Sequence, residues 1–169
     1  PITAKHCQKI KIMFSKTIYM NICSGGVRTY IYAGRLDKGK GILKLLNEWI
    51  NLPGTYVLEV YGEGECAAEV RKLAAKCPNI HLNGFCPQKE LFNSLKSAVA
   101  LITPYIWYEG YPMNIAECFS LGVPVVSTSI GNAGDLVSKS NAGTLFDFEV
   151  KGSFRKALDA VYEQRTKFS

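Results

Sequence analysis

The sequence predicts an α/β domain: a doubly wound parallel sheet of about six strands with helices on both faces. Two observations carry that prediction. From Arg28 onward, short runs rich in β-branched and aromatic residues alternate with segments of helical pattern, and each change is marked by Gly, Pro or Asn. The chain has 169 residues, 47% of them apolar and 20% charged, so it matches one domain that buries a real core.

Taken in order, the first strand is predicted over 28–33, ending at Gly34, and a helix over 42–51 follows Gly41. The next strand, over 56–61, begins after Pro53 and Gly54 and stops at Gly62. A helix over 66–77 closes at Pro78, a short strand over 80–82 meets Asn83 and Gly84, and Pro87 opens a helix over 88–97. The fourth strand, over 98–103, ends at Pro104; a helix over 114–121 stops at Gly122; and a fifth strand spans 123–127. Gly134 opens a short helix over 134–138, a sixth strand covers 144–146, and a last helix spans 153–167 after Gly152. Residues 1–27 are read as a linker or an extra strand, and residues 28–169 as the domain itself.

Composition excludes several classes. The apolar runs near 57–61 and 98–102 fall far short of the ~20 residues that span a bilayer, and residues 1–16 lack the apolar segment of a signal peptide. Six cysteines show no Cys-x-x-Cys pair, and the two histidines, His6 and His81, are far apart, which argues against structural zinc. A chain with this much core needs no disulfide staples, so the thiols are expected to be reduced and the protein cytoplasmic. The net charge of +6 suits a phosphate-bearing ligand or an anionic membrane surface. No basic stripe with interleaved aromatics supports nucleic-acid binding.

In a doubly wound sheet, ligands bind beyond the carboxyl ends of the strands, where the strand order reverses. With order 3-2-1-4-5-6, the loops 34–41 and 104–113 face each other, and they hold the most unusual residues of the chain. The first, Gly34-Arg35-Leu36-Asp37-Lys38-Gly39-Lys40-Gly41, offers close backbone approach, a guanidinium and an ammonium at the start of a helix, which together can hold an anion or serve as a solvated turn. The second surrounds one acid, Glu109, with four aromatic residues, and eight residues later Glu117 is the only charge of an apolar helix. A carboxylate there needs a partner, and no cation on its own helix supplies one; ribose and sugar hydroxyls are suitable donors. The turn Gly62-Glu63-Gly64-Glu65-Cys66-Ala67 formally matches a dinucleotide fingerprint, but its two acids would repel a pyrophosphate.

These segments, in this order, resemble the C-terminal domain of the retaining family 4 (group 1) glycosyltransferases, one half of a GT-B fold built from two Rossmann-like domains. Gly34-Arg35-Leu36 with Lys40-Gly41 resembles the family's phosphate-binding stretch, and Tyr61-Gly62-Glu63-Gly64 its second glycine turn. Ile80-His81-Leu82-Asn83-Gly84-Phe85 resembles the strand beside the nucleotide base. Glu109-Gly110-Tyr111-Pro112 through Glu117 resembles its two glutamates separated by seven residues, followed by Leu121-Gly122-Val123-Pro124. The resemblance implies a retaining hexosyl-type transferase with no metal or other cofactor, whose donor is a UDP- or GDP-linked sugar and whose acceptor is a saccharide or lipid-linked sugar. It implies that Arg35 and Lys40 hold the donor diphosphate, Glu117 the ribose hydroxyls, and Glu109 the transferred sugar, so that Glu109, Arg35 and Lys40 are the catalytic candidates. Gly110, Met113 and Asn114 complete the donor-binding set, the last two through amides at a helix N-terminus, and the His81 backbone would meet the base. Pro112 stands where some members have Gly, which removes one amide donor. The resemblance further implies an N-terminal acceptor-binding domain, expected to be absent from this chain, and peripheral contact with the inner membrane face. The alternative is a noncatalytic nucleotide-sugar-binding or regulatory module.

Overall fold

The structure is a computed structural model and describes residues 26–167. The reading of 1–27 as a linker or extra strand falls, apart from Gly26 and Val27, outside the described residues. Among those residues six strands form one sheet: β1 (Arg28–Ala33), β2 (Tyr56–Tyr61), β3 (Ile80–Gly84), β4 (Ala100–Thr103), β5 (Val125–Thr128) and β6 (Gly143–Phe146). All neighbours are parallel and the order is β3-β2-β1-β4-β5-β6. A single 3-10 turn, Lys38–Lys40, precedes helix α1 (Ile42–Trp49). The others are α2 (Ala67–Ala74), α3 (Gln88–Ser97), α4 (Met113–Ser120), α5 (Gly131–Ser140) and α6 (Ser153–Lys167).

Successive side chains of a strand point to opposite faces, and here they divide the apolar residues between two cores. Tyr30, Tyr32, Leu58, Ala100, Ile102 and Val126 pack with α1, α2 and α6, where Leu45, Leu46, Trp49, Val70 and Leu158 are buried. Ile31, Leu101 and Val125 point the other way, into a core closed by Leu95 of α3, Ile115 and Cys118 of α4 and Val137 of α5. Each fully buried Leu contributes about 1.5–3 kcal/mol. Two polar groups carried into the first of these cores find partners there: Trp49 Nε1 donates to the Tyr56 carbonyl at 3.3 Å, and the Tyr30 hydroxyl to that of Leu158 at 2.9 Å.

Element boundaries differ from the sequence-based expectation mainly where a helix end consumes the residues assigned to the next strand. Ala98 donates to Ser94 and Leu95, which ends α3, so β4 begins at Ala100 rather than 98. Val123 donates to the Cys118 carbonyl at 2.8 Å, folding back onto α4, so β5 begins after Pro124. Helix α5 is twice the expected length: it starts at Gly131 and ends where Asn141 takes a left-handed conformation.

The sheet is opened at one place. β1 pairs with β2 along all six residues, but with β4 only at Tyr30↔Ala100 and Ile31↔Leu101. Beyond that pair β1 and β4 part, and the crevice at the point where strand order reverses lies between their carboxyl ends.

Candidate functional site

The loop after β1 is pinned from three directions. The Tyr32 hydroxyl donates to the Arg35 carbonyl at 2.7 Å, and Asp37 accepts from the Lys40 amide at 3.0 Å, capping the 3-10 turn. Gly41 then adopts φ +73°, and a Cβ on it would stand 1.8 Å from the Pro104 carbonyl oxygen. The loops after β1 and β4 therefore lie backbone against backbone, tied by Ile106 N–H donating to the Gly39 carbonyl at 3.3 Å. On the other side Gly62, at φ +132°, lets the loop after β2 reach the Gly34 carbonyl, which a Cβ would meet at 2.0 Å.

This packing brings Lys40 and Glu109 together, with Nζ 2.5 Å from Oε1 and Nζ 5.0 Å from the centroid of the Tyr105 ring. Tyr105 is fixed in turn. Its hydroxyl donates to Asn114 Oδ1 at 3.0 Å, its carbonyl accepts from the Thr128 hydroxyl at 2.7 Å, and burial pushes its phenol up to about 12. Burial likewise raises the Tyr32 phenol, so both rings enter the site as neutral donors. Asn114 Nδ2 donates to the Ala33 carbonyl at 3.3 Å, at the end of β1 beyond its pairing with β4.

Around these residues lies an open cleft of about 590 Å³, within the usual range for small-molecule sites. Arg35, Lys40 and Glu109 form one wall, Met113, Asn114 and Glu117 of α4 another, and Phe85 and Cys86 the far end. Helix α4 begins without a side-chain cap, its Ile115 amide donating to the Pro112 carbonyl at 3.0 Å, and the amides of Met113 and Asn114 ahead of it lie at the positive end of the helix dipole. On the lining, the buried Thr103 hydroxyl finds no hydrogen-bond partner among the described residues. These features suit an anion flanked by groups that hydrogen-bond hydroxyls.

Six of the expected site residues thus meet: Arg35, Lys40, Glu109, Met113, Asn114 and Glu117. Their states differ. Lys40 is largely shielded, whereas the Arg35 side chain is 79% exposed and pairs with Asp37 at 2.9 Å, on the rim. Glu117 is half-buried and accepts from Gln88 Nε2 of α3 at 2.9 Å, so the partner that its own helix lacks comes from the neighbouring one. Gly110 adjoins the cleft without lining it; its carbonyl accepts from Asn132 at 2.6 Å. His81 is not among the lining residues. It is the second residue of β3, where its ring contacts Glu59 at 2.8 Å, while the cleft lining includes Phe85, just beyond the end of that strand. Phe85, which ends the segment that resembles the strand and loop beside the nucleotide base, lines the cleft. Tyr32 and Thr103 were not singled out from sequence: a strand tyrosine or threonine carries no signal of facing a cleft rather than a core. Among the described residues, no group of three His, Cys, Asp or Glu is placed to hold a metal ion. Among the described residues, no helix is long and apolar enough to cross a membrane.

Comparison with known proteins agrees with this architecture. The family model described as glycosyl transferases group 1 matches residues 24–168. The uncharacterized glycosyltransferase MJ1059 of Methanocaldococcus jannaschii is 29% identical over 133 residues, covering 74% of this chain and 32% of that protein. Among solved structures, Anabaena HepE in complex with UDP superposes with TM-score 0.71 at 17% identity, over 94% of this chain and 47% of that one. Sucrose-phosphate synthase of Thermosynechococcus elongatus gives 0.72 at 18% identity, over 93% of this chain and 42% of that one. The chain spans about a third of the curated relative and less than half of each of these structures. With a Rossmann-like sheet matching one half of a GT-B fold, this chain belongs to the group 1 glycosyl transferase family.

Proposed function

We propose that the cleft binds the nucleoside diphosphate of a UDP- or GDP-linked sugar, as the donor half of a retaining glycosyltransferase that moves a hexose-type sugar to a saccharide or lipid-linked acceptor. The observation that carries this reading is the Lys40–Glu109 contact at the strand-order reversal, facing the uncapped start of α4. It unites in one cleft a cation for phosphate, an acid for a sugar and a helix N-terminus for either. HepE, of similar fold, was crystallised with UDP, which supports the choice of ligand class.

In this reading Lys40 and Arg35 neutralise the charge that grows on the departing nucleoside diphosphate as the sugar–phosphate bond breaks. That interaction is strongest in the transition state and so lowers the barrier. The two side chains would do this without a metal. Glu117 would accept from the ribose hydroxyls, exchanging Gln88 for them, and Glu109 would hold the transferred sugar. A second, acceptor-binding domain would close over the cleft and keep water from the donor. The basic charge supports work at the cytoplasmic membrane face, where anionic lipid would hold the protein peripherally.

Calorimetric titration with UDP, GDP, ADP and their sugar conjugates, and with inorganic pyrophosphate as a base-free probe, tests the reading. One nucleotide should bind. Arg35→Ala should weaken both that nucleotide and pyrophosphate, by at least about tenfold if a charge-assisted hydrogen bond is lost. Glu117→Ala should weaken the nucleotide and leave pyrophosphate unchanged. Failure of every nucleotide to bind the folded chain, and the same failure in a full-length protein carrying both domains, would overturn it.

A further inference from the structure

Glu109 and Lys40 face two hollows. Beyond the cleft lies a second, of about 500 Å³, whose own lining residues include Asp37, Lys38, Glu65, Trp107 and Tyr108 and which meets the cleft along Arg35, Lys40 and Glu109. Its two rings are open to solvent, Trp107 being 68% and Tyr108 85% exposed. Both are nevertheless seated. A Cβ on Gly39 would lie 2.8 Å from the Trp107 ring, and a Cβ on Gly131 would lie 2.8 Å from that of Tyr108. Each ring rests against glycine backbone and presents its remaining surface outward.

We propose that this second hollow is a saccharide subsite, which seats the terminal sugar of the acceptor beside the donor cleft. The inference rests on the donor reading of that cleft. Its chemistry is that of a pyranose: the apolar C–H face stacks on the electron-rich face of Trp107 or Tyr108, and the equatorial hydroxyls donate to Glu65 and Asp37. No aliphatic side chain lines the hollow among the described residues. A groove for an apolar protein segment would be built largely of aliphatic residues, whereas two rings amid three carboxylates suit a ligand that is apolar on its faces and polar round its edge. The position agrees with the role, because a sugar held there lies across the Lys40–Glu109 pair from the donor.

The chain supplies its own reporter. It has two tryptophans, of which Trp49 is fully buried, so acrylamide quenching of fluorescence reads Trp107. The probes are the methyl glycosides of glucose, galactose, mannose and N-acetylglucosamine, each added to the chain saturated with its nucleotide. At least one glycoside should shield Trp107, and saturation-transfer NMR should detect the same glycoside. Tyr108→Ala and Trp107→Ala should each cut that glycoside's affinity by about tenfold, as expected for loss of a stacked ring, with the nucleotide still bound and the circular dichroism unchanged. Nucleotide binding with no glycoside shielding Trp107 would overturn the subsite while leaving the donor reading intact. Competition between the glycoside and the nucleotide sugar would also overturn it, since the glycoside would then occupy the donor cleft. Failure of all nucleotides to bind would remove the donor reading and this inference with it.

Discussion

Lys40 Nζ stands 2.5 Å from Glu109 Oε1, an ion pair that joins the loop after β1 to the loop after β4 across 69 positions of sequence. Glu109 already neutralises the Lys40 cation, and on the proposed donor reading an incoming phosphate would replace the carboxylate. The two carry like charge, so on the proposed donor reading Glu109 would oppose binding of a bare nucleoside diphosphate. Lys40→Ala should therefore weaken the nucleoside diphosphate by about tenfold to a hundredfold, the range for one charge-assisted hydrogen bond. Glu109→Gln should leave that affinity unchanged or raise it, most clearly at low salt, where exposed charges are least screened. Calorimetry at two ionic strengths reads both effects. Equal weakening by the two substitutions would show that the pair acts only as a structural tie.

The crossing of these loops depends on glycine at two positions. Gly41 has φ +73°, and an added Cβ would overlap the Pro104 carbonyl oxygen at 1.8 Å; Gly62 has φ +132°, and an added Cβ would overlap that of Gly34 at 2.0 Å. The left-handed conformation alone costs an ordinary residue about 1–2 kcal/mol, and backbone overlap forces the loops apart in addition. Gly41→Ala should lower Tm by at least about 4 °C, taking roughly 2–4 °C per kcal/mol for a chain of this size, and should weaken nucleotide binding as well. Gly54→Ala, at a glycine with open space around it, is the control and should change neither by much.

The sheet was legible because strand and helix patterns alternate with glycine and proline punctuation, and a parallel order follows from that alternation alone. Helix ends were less legible, because Ala98 and Val123 look like strand residues and are held by carbonyls of the preceding helix, a contact that residue type does not encode. Within the site, Arg35, Lys40, Glu109 and Glu117 stood out as charges among glycine, aromatic and apolar neighbours. The ion pair between two of them did not, since spacing along the chain carries no record of loops that meet only after folding. The same holds for Gln88, which reaches Glu117 from another helix.

The buried phenols and thiol make stability fall at alkaline pH. Burial raises Tyr30 and Tyr32 above the ordinary 10.0, pushes Tyr105 up to about 12, and lifts the Cys118 thiol from 9.0 to about 12. In the folded chain these groups keep protons that the unfolded chain releases, so the folded state binds more protons and unfolding becomes easier as pH rises. The contribution is fully present below the unfolded values, near pH 9 for the thiol and 10 for the phenols, and is lost as pH climbs toward the folded values. Each such group lowers stability by about 1.4 kcal/mol per pH unit within its window. The urea midpoint should hold steady between about pH 7 and 9 and drop steeply by about pH 11, and Tyr32→Phe should flatten the drop. Thiol chemistry gives an independent check: Cys118 is fully buried and should resist alkylation at about pH 8.5, where Cys86, partly exposed at the end of the cleft, should react. A midpoint that stays level across the alkaline range, or modification of Cys118 in step with Cys86, would mean that water reaches these side chains in the folded protein and that the cores on the two faces of the sheet are looser than the packing indicates.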